Sequence, residues 1–388
     1  MKILYSAIDQ TVPGTKGGSV HVMAVAAGLA SLGHEVTALV TPGTGARPPG
    51  VRWIAMPPPA GSSHLRLARS AAIGRLAREW RPDAVIERYH NFGGEAMRAA
   101  APVNAVAMLE VNAPVVDHRG SSKALLDRAL LVEPMRRWRD HICRLADVVV
   151  TPNASILPRA IARDRVKVLE WGADTERFTP GRPAQAPFSR PAVETLAVFA
   201  GAFRSWHGAI HLVEAIKVLR ARGRQDIGAV FIGEGPELPR VRAAASGVDG
   251  IVITGAMPHE QMPAALASAD VGVAPFDLAA HAPLALGFYW SPLKIFEYMA
   301  SGLPVVAPAA DRIPSLVADG REGILYNLPP QGGSYATAIA DAIARLSDPA
   351  LRRTLGAAAR ERAVRDYSWS AHCRALEEAI VEARGRRR

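Results

Sequence analysis

The stretch YWSPLKIFEYMASGLPVVAP, residues 289–308, places a lysine and a glutamate near the start of a short predicted helix. Ser291 is a residue type that caps helices, and Pro292 suits the first helical position. The following backbone N–H groups are then unpaired, and such a helix end binds phosphate, with Lys294 adding a positive charge. Glu297, one turn further on the same side, can accept hydrogen bonds from ribose hydroxyls. A nucleotide site is one interpretation; a surface Lys–Glu pair worth about 0.2–0.5 kcal/mol is the other.

Two loops could supply further phosphate contacts. In PGTKGGS, residues 13–19, glycines let the backbone approach a ligand, and the next helix turns its N–H groups toward the loop. This spacing matches neither the dinucleotide fingerprint nor the P-loop, so a structural glycine loop is the alternative. In GAFRSWHG, residues 201–208, Arg204 and His207 follow a predicted strand, where they could meet a pyrophosphate or form a solvated surface loop.

Short apolar strands alternate with helices along the chain, which predicts doubly wound parallel sheets. The first half contains MKILYSAI, HEVTALV, DAVIERY, NAVAMLEV, DVVVTP and VKVLEWG. The second half contains TLAVFAG, IGAVFIG, GIVITG, DVGVAPF, LPVVAP and GILYN. A proline-rich segment without apolar periodicity separates the halves and predicts a linker. Ligands of such sheets bind outside the carboxyl ends of the strands, so we expect a cleft between two domains.

Bulk composition excludes several classes of protein. The 388 residues are 49% hydrophobic and 21% charged, which is globular composition, and the length suits two domains. The apolar runs are too short for a spanning helix, and Asp9 interrupts any secretory signal. The two cysteines, Cys143 and Cys373, are expected to be free thiols, which indicates a cytoplasmic protein. The net charge of +10 favours anionic partners, but 6% aromatic residues argue against nucleic acid.

A basic helix is predicted over residues 65–81. One of its faces carries Leu65, Ile73, Leu76 and Trp80. The opposite face carries Arg75, Arg78 and Arg81, and the tail RGRRR adds Arg384, Arg386, Arg387 and Arg388. A surface helix packed on a core is one interpretation, and weak peripheral contact with the inner face of an anionic membrane is the other.

Six segments, taken in order, resemble the retaining GT-B glycosyltransferases of family 4. They are GGSVHVMAVAAGLASLGHEVTALV, EVNAP, VLEWGADTERFTP, GAFRSWHG, TGAMPHEQMPAALASADVGVAPF and SPLKIFEYMASGLPVVAP. The resemblance covers essentially the whole chain. It implies a GT-B fold of two Rossmann-like domains facing across a cleft. These are an acceptor-binding domain at 1–180, a linker at 181–194, a nucleotide-sugar-binding domain at 195–365, and a helix with a basic tail at 366–388 that crosses back.

The resemblance also implies roles for individual residues on the donor side. Glu297 corresponds to the ribose-binding glutamate, the second of a pair with seven residues between them; Tyr289 stands at the first position, so the pair is incomplete. Met257 corresponds to the place where backbone groups read the base. The other implied donor-binding residues are Gly17, Gly18, His207, Ser291, Pro292 and Leu293.

The implied catalytic residues are Arg204, Lys294 and Glu110, and the implied acceptor-side residues are His90, Asn112 and His118. His207 stands where lysine is commoner, and a neutral imidazole is a weaker phosphate partner than lysine. The implied reaction moves a hexosyl group from a nucleotide-diphosphate sugar, of UDP or GDP type, to the hydroxyl of a small-molecule or lipid-linked acceptor. No metal and no separate cofactor are expected.

Two other functions stay open at this point. One is a GT-B sugar phosphorylase or nucleotide-sugar epimerase, which would turn over without a separate acceptor alcohol. The other is a nucleotide-sugar-binding protein without catalysis, suggested by Tyr289 at the first position of the glutamate pair. A dehydrogenase is disfavoured because neither half carries G-x-G-x-x-G after its first strand.

Overall fold

A computed structural model of the protein describes residues 1–118, 120–121, 124–125, 129, 133–181, 183, 185–328 and 334–387. Arg388 of the basic tail lies outside the described residues. The chain forms two compact units. The first unit comprises Met1–Trp171, Tyr289–Ser291 and Trp369–Arg388, and the second comprises Gly172–Phe288 and Pro292–Ser368.

The first unit is built on a parallel seven-stranded sheet with the order β3-β2-β1-β4-β5-β6-β7. Its strands are β1 (Lys2–Val12), β2 (Glu35–Pro42), β3 (Val51–Ala55), β4 (Ala84–Arg88), β5 (Val106–Glu110), β6 (Val148–Thr151) and β7 (Val166–Val168). Strands β4 and β5 are buried along their whole length, as expected for a parallel sheet covered on both faces. The order reverses between β1 and β4, which makes the sheet doubly wound.

The helices of the first unit are α1 (Gly17–Ser31), α2 (Ser70–Trp80), α3 (Met97–Ala100), α4 (Glu133–Leu145) and, at the end of the chain, α12 (Trp369–Arg386). Helix α12 packs on α1 so closely that a Cβ at Gly28 would lie 2.4 Å from the Cys373 sulfur. Its buried face, with Leu376 and Ile380, joins Val22 and Leu29 of α1 in one hydrophobic core. The core of this unit therefore joins residues from both ends of the sequence.

The second unit is built on a parallel six-stranded sheet with the order β10-β9-β8-β11-β12-β13. Its strands are β8 (Thr195–Ala200), β9 (Ile227–Ile232), β10 (Ile251–Gly255), β11 (Val271–Val273), β12 (Val305–Pro308) and β13 (Gly323–Tyr326). Its helices are α5 (Ala209–Ala221), α6 (Leu238–Ala245), α7 (Met262–Ala267), α8 (Leu293–Ala300), α9 (Ile313–Leu316), α10 (Tyr335–Arg345) and α11 (Pro349–Asp366).

The predicted parallel sheets and their alternating helices are confirmed. Strand β3 was not predicted; it lies at the sheet edge and is only partly buried, so it lacks the apolar run of its neighbours. The predicted helix over 65–81 is wrong in its first part. Residues 63–69 form a 3₁₀ segment, which leaves Leu65 exposed and turns Arg66 inward. Cys143 and Cys373 are buried free thiols, as expected.

Over the part of the chain that the structure describes, no helix combines the length and the apolar composition that crossing a bilayer requires.

Candidate functional site

Lys294 points into the second unit from the first turn of α8. Its side chain is buried, and its ammonium nitrogen lies 4.1 Å from the centroid of the Phe199 ring and 5.4 Å from that of Phe276. This nitrogen has no hydrogen-bond partner among the described residues. A buried cation without a hydrogen-bonded anion is costly, so the burial of Lys294 excludes a surface Lys–Glu pair and suits an incoming anion.

Burial shifts the ionisation of Lys294 and Glu297 in opposite directions. Burial lowers the pKa of Lys294 to about 7, against the attraction of Glu297, which raises it. Burial raises the pKa of Glu297 to about 7, against Lys294 and Arg177, which lower it. The two groups therefore change charge in the range where enzymes usually work.

Gly201, in the loop after β8, leaves room for Lys294. It has a φ of +133°, and a Cβ there would lie 3.3 Å from the lysine nitrogen. His207 lies in the same loop and donates from Nδ1 to the Ala202 carbonyl at 2.6 Å. Burial, followed by the charge of Lys294, lowers the pKa of His207 to about 3. His207 is consequently neutral near pH 7 and turns an accepting Nε2 away from Ala202.

Arg204 is exposed, and its guanidinium lies 5.6 Å from the centroid of the Trp206 ring. Trp206 in turn stacks on His281 at 4.0 Å. Met257 follows β10 by two residues and is partly exposed. In the second unit the charge of Lys294 therefore affects the pKa of both Glu297 and His207. Arg204 lies on the surface of the loop that carries His207.

The expected cap of α8 by Ser291 is wrong. Pro292 occupies the N-cap position, and no side chain caps the helix, which begins at Leu293. The Ser291 hydroxyl belongs to the first unit, where it donates to Glu170 at 2.6 Å and accepts from the Trp171 backbone N–H at 2.9 Å. The sequence could not show this competition because Glu170 is 121 residues away.

Gly17 and Gly18 form the first turn of α1. A Cβ at Gly18 would lie 2.2 Å from the Gln10 amide oxygen, so a larger residue there would have to displace this flexible side chain. The predicted glycine loop is present, and its role toward phosphate stays a prediction.

Glu110 ends β5 and is buried in a polar cluster of the first unit. It accepts a hydrogen bond from the Tyr5 hydroxyl at 2.7 Å, and Arg88 lies 3.9 Å from the same carboxylate oxygen. Burial raises the pKa of Glu110, while Arg88 and the Tyr5 hydrogen bond lower it. Sequence reasoning missed Tyr5 and Arg88, although both lie on predicted strands; the structure shows that these strands are neighbours in the sheet.

His21, Glu110 and His372 bring three potential metal-ligand atoms within 4.8 Å of one another. Arg88 lies 2.6 Å from Nδ1 of His21, and arginine can only donate, so Nδ1 accepts and the proton of the neutral ring is on Nε2. That nitrogen, 3.9 Å from Glu110, then has no lone pair for a metal. The Arg88 cation makes the cluster still less suitable for a metal ion.

The acceptor-side residues lie at different places in the first unit. The Asn112 amide oxygen accepts from the Trp171 indole at 2.9 Å. His90 follows β4, and its Nδ1 accepts from the Phe92 backbone N–H at 3.2 Å. His118 is partly exposed in the loop after Asp117. Ring contacts join His90 to His64 and Phe92, and among the described residues no contact joins His90, Asn112 and His118 to one another.

Two family profiles match successive parts of the chain. Residues 15–177 match the family described as Glycosyltransferase Family 4, and residues 194–348 match Glycosyl transferases group 1. Together the two matches include α1 with Gly17 and Gly18, β5, the loop after β8 and α8.

Curated relatives share between a quarter and a third of the aligned residues. A GDP-mannose-dependent alpha-mannosyltransferase of Mycobacterium tuberculosis is 29% identical over 64% of this chain, which spans 60% of that relative. A protein with the same description from Mycolicibacterium smegmatis is 28% identical over 98% of this chain and 97% of its own length.

Solved structures share the fold. Sucrose-phosphate synthase from Thermosynechococcus elongatus superposes with a TM-score of 0.74 at 20% sequence identity, over 98% of each chain. The predicted GT-B fold, with two parallel-sheet α/β domains, is confirmed.

Proposed function

This chain belongs to the group 1 glycosyltransferases, and from that premise we propose that it transfers a hexosyl group from a nucleotide-diphosphate sugar to an acceptor hydroxyl with retention of configuration. The observation that carries the proposal is Lys294, a buried ammonium group without a hydrogen-bond partner in the described chain, one helical turn before Glu297. A diphosphate would neutralise Lys294, and ribose hydroxyls would donate to Glu297. A donor of UDP or GDP type suits this pair equally well.

In the proposed reaction the acceptor attacks the face of the sugar that the diphosphate leaves, and the leaving phosphate takes the acceptor's proton. Negative charge then grows on the diphosphate. Lys294 and the uncapped backbone N–H groups at the start of α8 stabilise that charge, and a preorganised donor of this kind is typically worth about 10²–10³-fold in rate. Neither step assigns work to a metal ion.

Thermal-shift screening against UDP-, GDP-, ADP- and dTDP-sugars tests the donor class directly. A ligand at about 100 times its Kd adds about 2.7 kcal/mol to stability, so the cognate donor stands out. Product analysis with the stabilising donor and an acceptor panel then tests transfer. Turnover with donor and phosphate alone would indicate a phosphorylase, and binding without turnover would indicate a non-catalytic protein.

Replacing Glu297 with alanine is expected to weaken binding of the nucleotide sugar by about 1.5–3 kcal/mol, the usual value of hydrogen bonds to a charged group. Titration calorimetry with the donor measures the change. Glu214→Ala removes a surface glutamate that pairs with Lys217 on α5 and serves as the matched control. An unchanged donor Kd in Glu297→Ala would contradict the assignment.

Donor affinity is expected to pass through a maximum near pH 7. The pKa of Glu297 is raised to about 7, so its carboxylate is lost as pH falls below that value. The pKa of Lys294 is lowered to about 7, so its charge is lost as pH rises above that value. The two limbs belong to the pair, because neighbouring groups titrate together. Calorimetry between pH 5.5 and 8.5, on the order of three pH units around the maximum, measures the profile. The affinity of Glu297→Gln should no longer fall on the acid side, and that of Lys294→Met should no longer fall on the alkaline side. A donor affinity of the parent that does not change with pH would contradict this.

The acceptor is proposed to be a small soluble molecule rather than a membrane lipid. Arg75, Arg78 and Arg81 are exposed at α2, and each basic residue near an anionic leaflet can contribute about 1 kcal/mol. We nevertheless expect the parent protein not to float with anionic vesicles at ordinary salt. Two results together would instead establish the membrane contact. The parent would float, and flotation would be lost on Arg→Glu substitution at these three positions. A control with Arg→Glu substitutions at Arg159, Arg163 and Arg165 would still float.

A further inference from the structure

Three partly or fully exposed rings form a cluster beside the carboxyl ends of β1 and β4. The centroids of His64 and Phe92 are 4.5 Å apart, those of His90 and Phe92 are 5.9 Å apart, and those of His64 and His90 are 6.3 Å apart. His64 is exposed, and the other two are partly exposed. We call these three residues the ring cluster. It lies where ligands of parallel sheets bind.

The buried side chain of Arg66, two residues after His64, holds the segments that carry the ring cluster. It is completely buried, and each of its three guanidinium nitrogens donates a hydrogen bond. Nε and Nη2 donate to Glu95 at 3.0 and 2.6 Å, and Nη1 donates to Asp9 at 2.8 Å. This fixes the 3₁₀ segment that carries His64 to β1 and to the loop after β4.

Glu87, at β4, fixes the same loop through backbone contacts. Its carboxylate accepts from the N–H groups of Gly94, Ala96 and Met97, the last two at 2.9 and 2.8 Å. The loop that carries His90 and Phe92 is therefore held on both sides by buried hydrogen bonds, from Arg66 to Glu95 and from the loop backbone to Glu87. A preorganised surface of this kind loses little entropy when it binds a ligand.

The charges around the ring cluster do not suit a phosphate. Arg66 is already paired with Asp9 and Glu95, and Glu87 lies 3.9 Å away, so its guanidinium is not free to bind an incoming anion. Burial, and next the charge of Arg66, lower the pKa of His90, so its ring is neutral near pH 7. Because its Nδ1 accepts from Phe92, the Nε2–H is the group left to donate.

We propose that His64, His90 and Phe92 form an acceptor subsite that takes an uncharged polyol or sugar ring in preference to a phosphorylated one. The aromatic face of Phe92 packs against the ring, and the imidazoles of His64 and His90 exchange hydrogen bonds with its hydroxyls. A few polar groups in an apolar surround is the usual composition of such sites. That the ligand is the acceptor rests on the proposed function. That the ligand is an uncharged ring rests on the ring cluster alone.

Saturation-transfer NMR on the full chain tests the proposal with two matched pairs of probes. The pairs are glucose with glucose 6-phosphate and myo-inositol with myo-inositol 3-phosphate. We expect the uncharged member of a pair to bind about tenfold more tightly, equal to 1.4 kcal/mol. Phe92→Ala and His64→Ala should remove the signal of the uncharged ring, while Arg78→Ala, an exposed change on α2, should keep it. Because His64 is exposed, its variant guards against loss of signal through misfolding.

The proposal is overturned if the phosphorylated probes bind as tightly as the uncharged ones. It is also overturned if the uncharged rings still bind to both Phe92→Ala and His64→Ala, or bind to none of the proteins. Donor calorimetry on the same preparations separates this result from the proposed function. Loss of the ring signal with an unchanged donor Kd is the outcome expected here. A parent protein that binds no nucleotide sugar would contradict the proposed function and leave the class of the bound ring standing.

Discussion

Replacing Lys294 with alanine lowers kcat by about 10²–10³-fold, and this is one of the two largest effects we expect. The side chain is buried against Phe199 and Phe276, so its charge acts in a medium of low polarity, where an ion attracts a diphosphate more strongly than in water. The attraction grows as charge moves onto the leaving diphosphate. The loss should therefore appear in kcat more than in donor affinity.

Steady-state kinetics with the cognate donor and acceptor measure this effect. Lys294→Met is the more informative variant because it keeps much of the side-chain volume in the aromatic pocket and removes only the ammonium group. Lys217→Ala is the matched control, since Lys217 lies at the surface of α5 and pairs with Glu214. If KM for the donor rises while kcat holds, Lys294 binds the ground state, and its catalytic role is wrong.

Replacing Arg66 with alanine destabilises the protein by about 3–5 kcal/mol, the usual consequence of removing one partner from a buried ion pair. Asp9 and Glu95 lose the hydrogen bonds that Arg66 donates, although Gln10 and Ser6 still donate to them, and the nearby carboxylate of Glu87 loses its counter-charge. Burial and the neighbouring Glu95 already raise the pKa of Glu87. Without the guanidinium, which lowers the pKa of Glu87, ionisation of Glu87 becomes still less favourable.

The loss of stability in Arg66→Ala, relative to the parent, should become smaller as pH falls from 8 to 5, on the order of three units. Protonation removes the repulsion between the carboxylates. The sign follows from carboxyl pKa values that are higher in the folded variant than in its unfolded chain. Urea denaturation at several pH values measures the change, with Arg78→Ala on the exposed face of α2 as the control. A deficit independent of pH would show that lost packing, rather than unpaired charge, explains the instability.

The periodicity of apolar residues was sufficient to predict both sheets, because parallel strands buried on both faces are short continuous apolar runs. It failed at β3, whose edge position leaves half-exposed residues without that signature. It also failed at residues 63–69, where the pattern continues the helix but Arg66 bonds to Asp9 and Glu95. Contacts between residues 29 and 57 positions apart decide that conformation, and local pattern does not record them.

The candidate site was predictable to a similar degree. Residue types around α8 and the loop after β8 indicated phosphate chemistry, and the structure places Lys294 with its nitrogen unpaired in the described chain. The burial that lowers the pKa of Lys294 was not predictable, since it depends on contact with Phe199, which lies on β8 far away in the sequence. The ring cluster was missed because His64, His90 and Phe92 all lie outside the six segments that carry the resemblance.

The packing of α12 on α1 has a consequence for the order in which the protein matures on the ribosome. Domains generally fold as units during synthesis, with the earlier one first. Here the core of the first unit includes Cys373, Leu376 and Ile380, so its apolar surface on α1 waits for those residues to leave the exit tunnel. Nearly all of the second unit, Gly172–Phe288 and Pro292–Ser368, emerges earlier. The later-encoded sheet can thus complete its core first, while the apolar surface of α1 stays uncovered until the residues of α12 emerge.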